Sequence, residues 1–411
     1  MIRCRPRRLF SRDLGGGRPI IYTPDMDRDP VSARPAAILQ VIPRLDVGGA
    51  ERVVLEITEG LARQDFRVLV ASAGGVLAAQ VEAAGGRNVS LPLATKNPAG
   101  LLRNAVALGR LIRAEGIALV HAHSRAPAWS ARLAARRAGV AFVTTYHGAY
   151  GERSAAKRLY NSVMASGDRV IAVSDFVAGL VRARYGTPPD RLRVIHGGVD
   201  PGRFDPAGVA PERRAALAAA WRLPPGAPVI LLPGRLTAWK GQRVMIAALP
   251  LLTRLDAVAV LAGSDQGRAG YAADLARQAE ALGVAQRVRF AGHCEDMAAA
   301  YCLADIVVNA STDPEAFGRT IVEAQAMGRI VIAADHGGAR ETILRDETGL
   351  LVPPGDPPAL AEAIDRVLGL PEAARGAFGA RAREAIIARF SLSGMQARVI
   401  GVYRELQGTL P

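Results

Sequence analysis

The stretch AAILQVIPRLDVGGAERVVLEITEGLA, residues 36–62, decides the fold. It begins as a short apolar run ending near Ile42 and turns through Gly48-Gly49. It then places Val54, Ile57 and Leu61 on one face at helical spacing. A strand feeding a helix through a glycine turn is the opening of a βαβ unit. The same alternation continues downstream. Strands are expected at 36–42, 66–72, 88–93, 117–123, 141–147, 169–174 and 192–196, with helices at 49–63, 98–115, 126–138, 153–166 and 175–184.

A second series follows a polar, proline-rich stretch at 201–228, with strands expected at 229–233, 257–262, 287–292, 305–310, 329–334 and 349–352. Alternation of this kind produces parallel sheets. The expected fold class is therefore α/β, two Rossmann-like doubly wound parallel-sheet domains facing a cleft. The expected division is a flexible basic tail over 1–35, a first domain over 36–205, a linker over 206–228, a second domain over 229–390, and a C-terminal helix over 391–411 that packs back on the first domain. Ligands of doubly wound sheets bind beyond the C-terminal ends of the strands, so the cleft is the expected site.

Composition narrows the function. At 411 residues the chain exceeds one compact core, and its 50% hydrophobic content can fill two. No apolar run reaches the ~20 residues of a membrane helix, and the basic N-terminus lacks the apolar core of a secretory signal. The net charge of +14 favours anionic partners, yet only Lys96, Lys157 and Lys240 among 52 basic residues are lysine. That arginine bias is what codon usage produces, and no basic cluster interleaves with aromatics, so nucleic acid is not an expected partner. Cys4, Cys294 and Cys302 form neither a disulfide framework nor a zinc pattern and read as reduced thiols. Asp25-Met26-Asp27 in the tail matches a metal-binding Asp-x-Asp only superficially.

Three segments could carry chemistry. Arg44 to Glu51 contains Gly48-Gly49 at a strand-to-helix turn, where backbone amides can approach an anion. It lacks the full dinucleotide fingerprint, and a plain tight turn fits it equally well. Pro233 to Gly241 ends a strand and brings Arg235 and Lys240 together, a planar fork and a point charge suited to a diphosphate. Asp313 to Glu323 sets Glu315 before a helix and Glu323 within it, with Gly318 and Arg319 at its N-terminus.

These residues resemble a known family, the retaining glycosyltransferases of family 4 with the GT-B fold. The resemblance covers about residues 36–390 and rests on motifs in order: Gly48-Gly49-Ala50-Glu51, Thr144-Thr145-Tyr146-His147-Gly148, Arg169 to Ser174, and Ile195-His196-Gly197-Gly198-Val199-Asp200. The second half adds Gly234-Arg235, Lys240-Gly241, Glu315 with Glu323, and Gly337-Gly338 followed by Glu341. The resemblance implies that Arg235 and Lys240 hold the diphosphate of a nucleotide-sugar donor. It implies that Glu315 contacts the sugar, that the amides of Phe317, Gly318 and Arg319 back the sugar and phosphate, and that Glu323 holds the ribose. His147 would lie beside the transferred sugar, and Gly48 and Gly49 would line the acceptor side near the diphosphate. Relatives often carry Asn-Gly where this chain has His196-Gly197-Gly198, so His196 is left out of the expected site.

The expected chemistry is transfer of a hexose from a UDP- or GDP-linked sugar to an acceptor hydroxyl. Breaking the sugar–phosphate bond puts charge on the diphosphate, which Arg235, Lys240 and the helix N-terminus near Gly318 would stabilise. With no Asp-x-Asp in the folded part, turnover without a metal or other cofactor is expected. His147 is either a base or an orienting hydrogen-bond partner. His121 and His123, two apart on a strand, are expected on one face of a buried sheet in a structural or cleft-lining role.

The acceptor is expected to be a cell-envelope glycan or glycolipid, as in lipopolysaccharide or polysaccharide biosynthesis. Arg103, Arg110, Arg113, Arg153, Lys157 and Arg158 lie beside apolar residues on two helical segments, as in peripheral contact with an anionic membrane. An ordinary solvated basic face explains them equally well. The expected location is the cytoplasm, at the inner face of its membrane if those helices dock there. Two other readings keep the fold, a nucleotide-sugar epimerase and a soluble glucan or small-glycoside transferase; a non-catalytic anion- or nucleic-acid-binding protein is a third.

Overall fold

A computed structural model describes residues 36–152 and 154–407. The tail over 1–35, with Asp25-Met26-Asp27 and Cys4, lies outside the described residues, as does Arg153.

The first half is a seven-stranded parallel sheet: β1 (Ala37–Val41), β2 (Arg67–Ser72), β3 (Gly86–Ser90), β4 (Ile117–Ala122), β5 (Ala141–Tyr146), β6 (Arg169–Ala172) and β7 (Leu192–Val194), in the order β3-β2-β1-β4-β5-β6-β7. The second is a six-stranded parallel sheet: β8 (Val229–Pro233), β9 (Val258–Ala262), β10 (Val288–Gly292), β11 (Ile306–Asn309), β12 (Ile330–Ala334) and β13 (Gly349–Val352), in the order β10-β9-β8-β11-β12-β13. Both are doubly wound, with strand order reversing at β1/β4 and β8/β11. Strands covered on both faces read as continuous apolar runs, and β1, β8, β9 and β12 are buried throughout. Gln40 on β1 is an exception, a fully buried amide in an apolar strand.

Each expected strand is present, with shifted ends. The third begins at Gly86 and stops at Ser90 rather than running to residue 93, because Pro92 has no N–H to extend the ladder. The helix expected at 153–166 spans Ala155–Ser162 and ends in a 3₁₀ turn at Val163–Ala165. A short helix at Ala78–Ala83 was not expected.

The stretch read as a loose linker is folded. It carries the helix Pro211–Ala220, which packs against the helix Met297–Leu303 of the second half. Phe204, Val209 and Trp221 are buried around it. Proline at the first helical position and five alanines favour this helix even where the flanks are polar.

The last helix, Leu392–Gln407, lies on the helix Gly49–Ala62 of the first half. Its Met395, Val399, Ile400 and Tyr403 join Ile38, Ile57 and Leu61 in one core cluster. The chain crosses between halves beside residue 199, where the Val199 amide donates to the Phe390 carbonyl (2.8 Å) and the Leu392 amide donates to the Val199 carbonyl (2.9 Å). No helix among the described residues is long and apolar enough to cross a membrane.

Candidate active site

Beyond the C-terminal end of β8, the chain rises through Gly234 and Arg235 into a single 3₁₀ turn ending at Lys240. Gly241 follows at φ +77°, pressed so close to the end of β11 that a Cβ would lie 1.9 Å from the Ala310 carbonyl oxygen. Only glycine permits that backbone and that approach. The turn delivers Lys240 Nζ to 2.5 Å from Glu315 Oε1. The same oxygen accepts from Ser311 Oγ (2.6 Å) and Asn309 Nδ2 (3.4 Å). Burial would raise the Glu315 pKa, but the Lys240 ammonium and these donors outweigh it and hold the carboxyl below its usual range. Arg235 is exposed, contacts Gln266 at 3.5 Å, and has no ion-pair partner within 4.0 Å among the described residues.

Gly318 caps the helix Arg319–Ala326 at φ +93°, and Ile321 sits 2.8 Å from where its Cβ would be. The amides of Phe317, Gly318 and Arg319 have no hydrogen-bond acceptor among the described residues. They form a ready anion site of the kind helix N-termini provide. The Phe317 side chain faces elsewhere, packing edge-on against Phe390 and over Gly197.

Arg319 does more than present its amide. Its guanidinium crosses to the first half and grips Glu56 on the helix Gly49–Ala62 through two hydrogen bonds of 2.8 and 3.0 Å. Burial would lower the Arg319 pKa, and Glu56 and Glu323 more than offset it. Glu323 lies 3.5 Å from Arg319 and accepts from the Tyr301 hydroxyl at 3.0 Å. Burial raises its pKa against the pull of Arg319.

On the first-half side, Gly48 caps the helix Gly49–Ala62 in extended conformation, and a Cβ there would strike the Glu51 carboxylate. A Cβ on Gly49 would lie 3.6 Å from Arg319 Cδ, so the two glycine-led helix N-termini meet across the cleft. His147, just past β5, is half-buried, and its Nε2 lies 3.0 Å from His123 Nδ1. Burial first, then the Arg319 charge, pushes the His147 pKa down to about 3, so its ring is neutral. His121 and His123 lie side by side, ring centroids 4.0 Å apart, both buried.

Another contact between the halves involves Glu341. Its two oxygens accept from the Asp175 amide (2.8 Å) and Phe176 amide (2.7 Å) at the start of the helix Asp175–Tyr185, and His196 Nε2 lies 2.8 Å from Oε2. Asp175, His196 and Glu341 bring three potential metal-ligand atoms within 4.8 Å. Both Glu341 oxygens are already engaged by helix amides.

Two family models match the chain, one described as glycosyltransferase family 4 over residues 47–203 and one as glycosyl transferases group 1 over residues 227–369. A D-inositol 3-phosphate glycosyltransferase from Salinispora tropica is 31% identical over 398 residues, covering 88% of this chain and 81% of its own. The chain belongs to glycosyltransferase family 4. A second D-inositol 3-phosphate glycosyltransferase, from Xylanimonas cellulosilytica, is 33% identical over 310 residues, covering 70% of this chain and 72% of its own. The crystal structure of a Rickettsia africae glycosyltransferase superimposes with a TM-score of 0.82 at 34% identity, over 90% of this chain and 98% of that one. The Anabaena protein HepE, in complex with UDP and glucose, superimposes at 0.80 with 24% identity over 90% of this chain and 100% of that one, a likeness of fold.

This glycosyltransferase thus has the two-domain GT-B fold expected of it. Lys240, Glu315 and the amides of 317–319 come together at the β8/β11 switch point. Gly48, Gly49 and His147 face them from the β1/β4/β5 edge, joined through Arg319. Sequence reading missed Glu56, Tyr301, Ser311, Asn309 and Gln40. Gln40 and Asn309 each left a signal, a polar residue within an apolar strand.

Proposed function

We propose that this transferase moves a hexose, with retention of configuration and without a metal, from a UDP- or GDP-linked sugar to a hydroxyl of a cell-envelope glycan or lipid-linked acceptor. The observation that carries the donor reading is the pairing of Lys240 with Glu315 beside three acceptor-free amides. That set offers a cation and a helix N-terminus for a diphosphate and a carboxylate for sugar hydroxyls. HepE, of the same fold, was solved with UDP-glucose, which supports a nucleotide-sugar donor here.

In the proposed reaction the bond from the anomeric carbon to the diphosphate oxygen breaks, and the acceptor oxygen bonds to that carbon from the same face. The acceptor proton passes to the departing phosphate. Arg235, Lys240 and the amides of 317–319 stabilise the growing phosphate charge, each contact worth about 2–4 kcal/mol of barrier. Glu315 stays ionised and orients the sugar; Glu323 is assigned to the ribose, with Tyr301 and Arg319 fixing its carboxylate. A pKa near 3 makes His147 a poor base, which favours the orienting role.

Peripheral membrane contact is part of the proposal. Leu102 and Val106 are exposed beside Arg103 and Arg110 on the helix Pro98–Glu115, and Leu159 beside Lys157 and Arg158 on the helix Ala155–Ser162. A second reading, transfer to a small phosphorylated polyol, takes its support from the relatives named D-inositol 3-phosphate glycosyltransferases.

The test begins with thermal shifts for UDP, GDP, UDP-glucose and GDP-mannose, with and without EDTA. The stabilising donor is then offered to lipid-linked glycans and to inositol phosphate, and the anomeric configuration of the product is read by NMR. Donor stabilisation that vanishes in EDTA, or an inverted product, overturns the mechanism. Conversion of the donor to an epimer without acceptor overturns transfer.

A further inference from the structure

Four groups form a directional hydrogen-bond chain behind His147. The Thr58 hydroxyl donates to the Val54 carbonyl (2.8 Å), which as a carbonyl can only accept. Gln40 Nε2 donates to Thr58 Oγ1 (2.8 Å) and to the same carbonyl (3.2 Å). The reverse amide orientation would set Gln40 oxygen against the Val54 oxygen, two acceptors facing each other, so Oε1 must point the other way, to His123 Nε2 at 3.0 Å. His123 is therefore protonated on Nε2 and accepts on Nδ1. The hydrogen on the 3.0 Å contact to His147 must then come from His147 Nε2. Gln40, Thr58 and His123 are almost wholly buried, so water does not compete for these bonds.

We propose that Gln40 and His123 are positioning residues that hold His147 as the neutral tautomer protonated on Nε2, so that its Nδ1 is an obligate acceptor matched to a hydroxyl of the donor sugar. This rests on the donor-sugar reading above. Nδ1 has no hydrogen-bond partner among the described residues. An acceptor there welcomes a hydroxyl and rejects a carboxylate or phosphate, so the chain running back to Val54 sets which sugars are accepted at His147.

The test is nitrogen-15 NMR on histidine-labelled full-length protein, with His147 assigned by H147Q. The expected spectrum at pH 7 has His147 as one neutral tautomer protonated on Nε2. Q40L removes the acceptor that orients His123, and the Nδ1-protonated form of His147 is expected to become populated. In the same variant UDP-glucose affinity is expected to fall about tenfold, the loss of one hydrogen bond, while UDP affinity stays unchanged. A wild-type His147 protonated on Nδ1 or on both nitrogens, or a tautomer ratio unmoved in Q40L, overturns the proposal; if Q40L does not fold, the wild-type spectrum decides alone. Failure of wild-type protein to bind either UDP or UDP-glucose counts instead against the transferase reading, and the tautomer measurement needs neither ligand.

Discussion

Arg319 of the second half and Glu56 of the first are joined by two hydrogen bonds of 2.8 and 3.0 Å, with Glu323 3.5 Å from the same guanidinium. Both side chains are mostly buried. Removing one partner of such a pair strands the other, a loss of about 3 kcal/mol. Glu56→Ala is therefore expected to lower the thermal midpoint clearly, and Glu56→Ala/Arg319→Ala to recover part of it. A double-variant loss equal to the sum of the Glu56→Ala and Arg319→Ala losses would show that the pair is not coupled.

Lys240 and Glu315 depend on each other in the same way, at the proposed donor site. Lys240→Ala and Glu315→Gln are each expected to cut turnover about 10²–10³-fold. Circular dichroism should report an unchanged fold. Rates close to wild type in both variants would remove these residues from the mechanism.

Three histidines tie stability to pH. His121 and His147 are pushed down to about 3 by burial, and His123 well below its ordinary value of 6.5. In the unfolded chain all three protonate near 6.5, so between pH 6.5 and 3 the unfolded state binds protons that the folded state refuses. Stability is therefore full above pH 6.5 and falls as pH drops through that window. Lowered carboxyls such as Glu315 and Glu341 add losses of the same sign at lower pH. At pH 5.5 each histidine contributes a loss of about 1.4 kcal/mol, about 4 kcal/mol together. Urea midpoints at pH 7.5 and 5.5 test this, and equal values would contradict it.

Gly241→Ala asks whether the close approach at β11 sets the Lys240 turn. With φ at +77° and the Ala310 oxygen in the way, the methyl group must displace backbone, at a cost of at least about 2 kcal/mol. A lower thermal midpoint with weakened UDP-glucose binding is expected. Wild-type binding would mean that Lys240 does not depend on this turn.

The alternation of short apolar runs with amphipathic segments was enough to read two parallel α/β halves and every strand in them. Strand and helix periodicity are local properties, and sheets buried on both faces leave unbroken apolar runs. Proline-rich context hid the helix Pro211–Ala220, whose stability comes from Ala content and from Trp221 and Phe204 packing at a distance. In the site, local signals were legible: glycines at turns, Arg235 with Lys240, and two glutamates eight apart.

Partnership was not legible. Arg319 reads as a helix N-terminal residue, yet its guanidinium belongs to Glu56, 263 positions away in sequence. Gln40, His123 and His147 lie on three different strands or strand ends and acquire direction only where β1, β4 and β5 stand side by side. The sequence by itself determined which elements form and which residues could meet a phosphate or a sugar. Which buried charge pairs with which, and on which nitrogen a histidine keeps its proton, was decided only by the tertiary structure, because such bonds depend on distances that sheet order and domain apposition create.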